Sequence, residues 1–458
     1  MNFLRNATLG LLAAGLPFAA RAQAPALTTF AVGSTTVTAS ALTTNLNHVW
    51  ELIWGLDNFL WMTERSGRIS RVDPASGQVL PLLTLPDVTP VGESGLLGMV
   101  LDPNFTATPY VYVVYNYTNA GSLREKLVRF TYSATANSLT APLVLLGDIV
   151  ATTTHSGSRL LILPDRTLLM TTGDAQLQSE AQNRASLNGK ILRLNLDGTV
   201  PADNPTPGSL VYTLGHRNPQ GLVRLPDGRL YSSEHGPSTD DEINKIEAGR
   251  NYGWPNVEGN CTSPSELAFC AVNNVREPLT TWTPTIAPAG LTYYNHPAIP
   301  SWRGSLLLAT LKNQQLVQLS LSLADDAITA RTEFVTGAFG RLRAICVAPS
   351  GTVYLGTSNG STDRVIALEN RAFVTTGTNA VSKFSFSLFP NPARRQATVQ
   401  LPQANALLTV RDLVGRTVLT RRAAGTTATL DLSTLRPGTY LLQAQTAAGR
   451  ATRQLVVE

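Results

Sequence analysis

The sequence predicts an all-β protein, a six-bladed β-propeller followed by a small C-terminal β-sandwich domain. Three observations carry that prediction. One turn–strand–loop–strand unit recurs six times between residues 55 and 368. No stretch holds a sustained 3.6-residue apolar period, so long amphipathic helices are not expected. After Asn370 the composition shifts into a compact run of short strands. The residue balance agrees: 43% hydrophobic and only 15% charged, with 35 Gly and 28 Pro in 458 residues, which suits many short strands joined by turns.

Taken in chain order, the N-terminus comes first. Residues 1–5 carry one positive charge, residues 9–20 are apolar, and Ala20-Arg21-Ala22 is a small-x-small cleavage pattern. Residues 1–22 therefore read as a secretory signal peptide, with Gln23 as the mature start. The apolar stretch is too short to span a bilayer, which takes about 20 helical residues, and Pro17 interrupts it. No later segment is apolar for long enough, so no transmembrane segment is expected.

The body, residues 23–370, contains the six units. Gly55-Leu56-Asp57-Asn58 precedes FLWMTE, and Asp102-Pro103-Asn104 leads into YVYVVYNY. Leu163-Pro164-Asp165 precedes TLLMTTGD, and Leu225-Pro226-Asp227-Gly228 precedes RLYSSEHG. Trp302-Arg303-Gly304 leads into SLLLATLK, and Pro349-Ser350-Gly351 precedes TVYLGTSNG. Intervals of roughly 47 to 76 residues fit propeller blades with loop insertions. The alternation within each unit predicts strands with one buried face. An array of β-sandwiches would not repeat the same unit six times.

Residues 371–381 read as a linker and 382–458 as a separate strand-rich domain. Its motifs are Phe389-Pro390-Asn391-Pro392, Asp412-Leu413-Val414-Gly415-Arg416 and Leu435-Arg436-Pro437-Gly438-Thr439-Tyr440. In order and spacing they resemble the C-terminal sorting domain of type IX secretion cargo. That resemblance implies a partnership with the secretion machinery, passage through the periplasm, and delivery to the cell surface or medium. The net charge of +5 is also unevenly spread. Residues 380–458 hold ten Lys/Arg against three Asp/Glu, leaving a body near −2. With no basic stripe in the body, nucleic-acid binding is not expected.

Of the three cysteines, Cys261 and Cys270 stand nine residues apart in a loop-like segment and are expected to pair in an oxidising compartment. Cys346 lies in an apolar run and is expected to be a buried free thiol.

Four polar constellations sit between strands, where a rigid scaffold carries function. His155, in Thr154-His155-Ser156-Gly157-Ser158-Arg159, is poorly placed for a core and well suited to general-base work. GHRNPQG at 215–221 is dense in hydrogen-bonding groups, and its bland alternative is a network that ties blades together. GPSTDDEIN at 236–244, followed by NYGWPN at 251–256, offers a Gly-Pro turn with exposed carbonyls beside three acids, a pattern suited to calcium but not an EF-hand. Lys312, with Arg341 and Arg343, supplies cations suited to a polyanionic ligand. Arg341 and Arg343 stand two apart and are expected to point the same way on a strand.

Together these segments resemble the soluble glucose and aldose dehydrogenases that use pyrroloquinoline quinone (PQQ). The match runs in order from Gly95-Leu96-Leu97-Gly98 through His155, Gly189-Lys190-Ile191-Leu192-Arg193-Leu194-Asn195, the three motifs above, PTIAPAG at 284–290 and Lys312, to Arg341 and Arg343. The resemblance implies PQQ and Ca2+ as cofactors, an aldose as substrate and an external electron acceptor. It implies that Lys312, Arg341, Arg343, Asn218 and Thr285 hold PQQ. The carbonyls of Gly236 and Pro237 would bind the calcium that polarises the quinone, with Glu242 and Tyr252 at a second calcium. His155 would be the base, and Arg217 would stabilise negative charge on the reduced ring. The chain departs from the glucose enzymes at Glu93, where they have Gln, at Thr154, where they have Asp, and at Thr283, where they have Trp. Glu93 and Thr154 are therefore expected to shape a different sugar site. Two rivals remain: a non-catalytic carbohydrate- or protein-binding propeller, which would be expected to lose one of these groups, and a calcium-dependent lactonase, whose channel carboxylates are not evident here.

Overall fold

The computed structural model describes residues 24–322, 327–373, 386–401, 404–412, 416–446 and 449–458. The expected signal peptide and its cleavage point, most of the expected linker, and Leu413-Val414-Gly415 lie outside them. The chain divides into two compact units, Met1–Ala372 and Phe373–Glu458.

Among its described residues the first unit holds six antiparallel sheets. The first five are four-stranded meanders whose strands follow in chain order. Each unit read in the sequence is the turn before the second strand of a sheet, with the second and third strands after it. The sixth sheet joins Leu342–Val347, Val353–Thr357 and Asp363–Glu369 to Thr35–Leu46 and Ala26–Val32, so both ends of the unit meet in one sheet. The first strands of the sheets are Val49–Trp54, Leu96–Leu101, Gly157–Ile162, Pro219–Arg224, Pro288–Tyr294 and Leu342–Val347. Each packs against the next, and the sixth packs back against the first. The result is a closed ring of six blades. Close approach at the centre depends on glycine. A Cβ on Gly98 would sit 1.9 Å from the Ser158 carbonyl oxygen, and one on Gly290 would sit 2.6 Å from that of Arg343.

The expectation of strands with one buried face is corrected here. The second strands Leu60–Glu64, Thr167–Thr172, Leu230–Glu234, Ser305–Thr310 and Val353–Thr357 are buried along their whole length. Blades cover one another on both sides, so the alternation is between large apolar residues and small polar ones such as Thr63, Thr171 and Ser232, all without exposure. Every first strand also shifts register near its N-terminal end. Such bulges turn the backbone out of the ladder and re-aim side chains, here at one face of the ring.

The α-helix Pro264–Asn273 left no apolar period because it buries none of its residues. A Ser263/Glu266 capping box starts it, and the Cys261–Cys270 disulfide ties it to the preceding loop. Cys346 is the expected buried thiol, pushed up to about 12 by burial.

The second unit packs a three-stranded sheet (Ser387–Phe389, Gln396–Gln400, Thr427–Asp431) over a four-stranded one (Thr417–Ala423, Ala406–Arg411, Gly438–Thr446, Gly449–Val457). Val399 and Leu430 of one meet Leu408, Leu442 and Leu455 of the other, all fully buried. In the third tail motif the Tyr440 hydroxyl donates to the Arg436 carbonyl at 2.8 Å, which pins the corner before the strand.

Candidate active site

An antiparallel meander puts the start of each first strand and the end of each second strand on the same face of the ring. Glu93, Thr154, His155, Arg217, Asn218, Thr285 and Arg341 lie in the segments that lead into first strands. Gly236, Pro237 and Lys312 follow second strands, and Glu242 is the second residue of a third strand. Five blades thus contribute candidate residues to one face.

His155 is the first residue whose setting goes beyond its own sequence. Its Nδ1 lies 2.7 Å from Asp174 Oδ1, and Asp174 has no exposed surface. Asp174 Oδ2 accepts the Trp254 indole N–H at 2.8 Å. Glu93 accepts the His155 backbone N–H at 3.1 Å. The His155 loop is pressed onto the strand end beneath it: a Cβ on Gly173 would fall 1.8 Å from the His155 carbonyl oxygen. No other described residue hydrogen-bonds His155 Nε2. An acceptor carboxylate on Nδ1 fixes the tautomer that leaves Nε2 with its lone pair. Thr154 accepts from Gln176 at 2.7 Å. Neither Asp174 nor Trp254 was assigned a role from sequence. The signal for Asp174 was present, since an acid or amide also stands at or near the end of the second strand in WMTE, VYNY and SSE, where it accepts a backbone N–H from its own blade's lead-in.

Positive charge gathers beside this pair. The Arg217 guanidinium lies 5.3 Å from the centre of the Trp254 ring. Burial pulls its pKa down, and Asp174, Glu234 and Glu93 pull it back up. Arg343 is 9% exposed; burial pushes it down to about 10, and it donates to Gln220 at 2.8 Å. Burial pushes His235 down to about 4 against the pull of Glu93. Glu93 itself is opposed by burial, but His235, Arg343 and the His155 N–H hold it below its ordinary value. Arg217 Nε and Asn218 Nδ2 are both buried and without a hydrogen-bond partner among the described residues. Buried nitrogens left unpaired are costly, and this set fits a planar ligand rich in acceptor oxygens, as PQQ is.

Lys312 and Thr285 come together, Nζ to Oγ1 at 2.8 Å, although 27 residues separate them. The expectation for Arg341 and Arg343 is corrected. Arg341 precedes the strand and is exposed, while Arg343 lies inside it at a register shift and is buried. The period of two fails because the bulge inserts a residue between them and the ladder.

The four residues expected at calcium all line one cavity of about 280 Å3, its mouth included, with Glu234, Asp240 and Glu258. No hydrogen bond from a described residue ends on the Gly236 or Pro237 carbonyl. Of the three adjacent acids, Asp240 and Glu242 line the cavity, while the Asp241 carboxylate accepts the N–H groups of Gly236, Ile286 and Ala287 at 2.9, 2.5 and 2.7 Å and shapes the turn. Burial and the nearby Glu234 push Glu242 up to about 8, a charge that a cation would relieve. The Tyr252 hydroxyl is committed to the Lys245 carbonyl and the Glu247 N–H, which leaves only its backbone for a metal. Among the described residues no three acidic, His or Cys side chains converge in metal-holding geometry. A calcium here would lean on carbonyls, which it accepts readily.

The family model described as glucose / sorbosone dehydrogenase matches residues 46–366. The chain belongs to that family. A second family model, the secretion system C-terminal sorting domain, matches residues 387–458. The propeller is 42% identical over 246 residues to quinoprotein glucose dehydrogenase B of Acinetobacter calcoaceticus, a match that spans 47% of this chain and about half (52%) of that relative. It is 28% identical over 347 residues to aldose sugar dehydrogenase YliI of Escherichia coli, covering 71% of this chain and 91% of that one. The structure of the PQQ-bound aldose sugar dehydrogenase of Streptomyces coelicolor superposes with a TM-score of 0.64 at 33% identity, over 73% of this chain and 98% of that one.

Proposed function

We propose that this member of the glucose / sorbosone dehydrogenase family is an exported quinoprotein. It oxidises the C1 hydroxyl of aldose sugars to lactones and passes the electrons to an external acceptor. The observation that carries this reading is the His155–Asp174 pair with Nε2 unpaired, set beside buried donors that lack partners. The names of the relatives and of the PQQ-bound structure support the cofactor and the substrate class.

When bound, PQQ supplies the two-electron acceptor for the C1 hydride. Lys312, Arg341, Arg343, Asn218 and Thr285 are the groups that would hold its carboxylates and quinone oxygens. The Gly236 and Pro237 carbonyls would hold the calcium beside it, and Glu242 with the Tyr252 backbone would hold the second. His155 Nε2 accepts the proton of the C1 hydroxyl, and Asp174 stabilises the imidazolium that results. Arg217 sets fixed positive charge where negative charge develops. Glu93 and Thr154 border His155 and would meet the sugar hydroxyls. The tail would take the chain through the type IX route, by way of the periplasm, to the surface or the medium, which is the compartment the disulfide suits.

The purified protein is expected to be inactive until PQQ and calcium are added, and then to reduce a dye in a sugar-dependent way across an aldose panel. No activity and no PQQ binding by absorbance would remove the enzyme reading and favour a binding propeller.

A further inference from the structure

Trp254 is a residue to which the proposed chemistry gives no role. Its backbone is held on two sides: the N–H donates to the Gly215 carbonyl at 3.0 Å, and its carbonyl accepts Gln182 Nε2 at 2.7 Å. Gly215 leads into the fourth blade, and Gln182 follows the short helical turn Gln178–Ala181 of the third. The ring, 6% exposed, is thus fixed across the seam between two blades. One edge donates to Asp174 Oδ2 at 2.8 Å, and the Arg217 guanidinium lies 5.3 Å from the ring centre. The other Asp174 oxygen is already taken by His155 Nδ1 at 2.7 Å and the Gln176 N–H at 2.8 Å. The indole is therefore the side-chain donor that holds the second oxygen and stops the carboxylate from rotating away from the imidazole.

We propose that Trp254 is a positioning residue that sets the His155–Asp174 base and the Arg217 charge in one frame, so that proton acceptance and charge stabilisation stay in register. The inference rests on the function proposed above, but its geometry does not require the cofactor. The charged groups around His155 are Asp174 from its own blade, Glu93 from the second, and Arg217 across Asp174 from the fourth. Arg343 and His235 act on it through Glu93. Removing the indole N–H leaves a buried carboxylate oxygen without its donor. Asp174 is then free to turn away from the imidazole, and an imidazolium at His155 loses part of its stabilisation.

The test uses the full chain and Trp254→Phe, which keeps a ring under Arg217 and deletes only the donor. With PQQ and calcium, kcat is expected to fall by about tenfold, as for partial loss of a positioned base. KM for the sugar should stay within about twofold, because only the transition state loses an interaction. The acid limb of the kcat/KM profile should move to lower pH. The second readout needs no cofactor. In the apo protein the midpoint of the His155 titration, followed by NMR, should fall in Trp254→Phe. The Trp254 indole proton of the unmutated chain should exchange slowly and shift in Asp174→Asn. An unmutated indole proton that exchanges as freely as an exposed one would overturn the proposal. So would a Trp254→Phe enzyme with unchanged kcat and unchanged His155 titration. If the unmutated chain proves to have no sugar dehydrogenase activity, the functional reading fails, and the apo measurements still decide this one.

Discussion

Two histidine–carboxylate pairs stand in adjacent blades and look alike on paper. His155 meets Asp174 at 2.7 Å in the third blade, and His216 meets Glu234 at 2.9 Å in the fourth. Glu234 ends a second strand and Asp174 stands two residues past the end of one, and both histidines lie in the lead-in to a first strand. The difference is in the second ring nitrogen. His216 Nε2 bonds the Thr213 hydroxyl at 2.9 Å, its ring stacks on Tyr252 with centres 4.6 Å apart, and it has no exposed surface. His155 keeps 15% of its side chain exposed and leaves Nε2 unpaired. One pair is a closed circuit that spends all its hydrogen bonds on the fold. The other is the same device left open on one side, which is what a base needs. Glu234 also accepts the Arg217 backbone N–H, so the closed pair positions a charge for the open one.

The largest test of this contrast replaces each histidine in turn. His155→Gln keeps size and some hydrogen bonding but removes the base, and kcat is expected to fall by roughly 100- to 10,000-fold while PQQ affinity stays within a few-fold. Near-normal kcat with saturating PQQ and sugar would break the distinction. His216→Gln should act on stability instead. It leaves buried partners poorly matched and should cost about 1–3 kcal/mol, read as a lower midpoint in denaturant. Next in size, Lys312→Ala should weaken PQQ binding by about 1.5–3 kcal/mol through loss of a charge-assisted contact, with kcat at saturation little changed.

A subtler test concerns Glu125, whose partner Ser158 stands three residues after His155. It accepts from Ser158 at 2.9 Å and Asn116 at 3.3 Å, and burial pushes it up to about 8. The unfolded carboxyl loses its proton near 4.5 and the native one near 8. The unfolded state therefore binds fewer protons across that window, and stability should fall as pH rises through it. Glu125→Gln should flatten that slope, measured as melting temperature against pH from 5 to 9. An identical slope in the variant would assign the effect elsewhere. The smallest expected effect comes from the tail: deleting residues 384–458 should leave kcat within about twofold, since each unit carries its own core, while export in a host with that secretion route is lost.

The six repeats, the tail and its motifs, and the Cys261–Cys270 pairing were legible in the sequence because each is written in neighbouring residues. Turn chemistry, strand length and cysteine spacing are local properties. The same reasoning misjudged which faces are buried, because only the packed ring covers both sides of a blade. It misjudged Arg341 and Arg343, because a bulge depends on the partner strand. It gave no role to Asp174 or Trp254, which meet across a separation of 80 residues. The sequence by itself determined which segments become strands, where they turn and which polar groups sit at their ends. The tertiary structure alone decided which of those groups meet, which nitrogen stays free and which carboxylate is spent on backbone. Those outcomes follow from ring closure, which brings together on one face strand ends that no local preference relates.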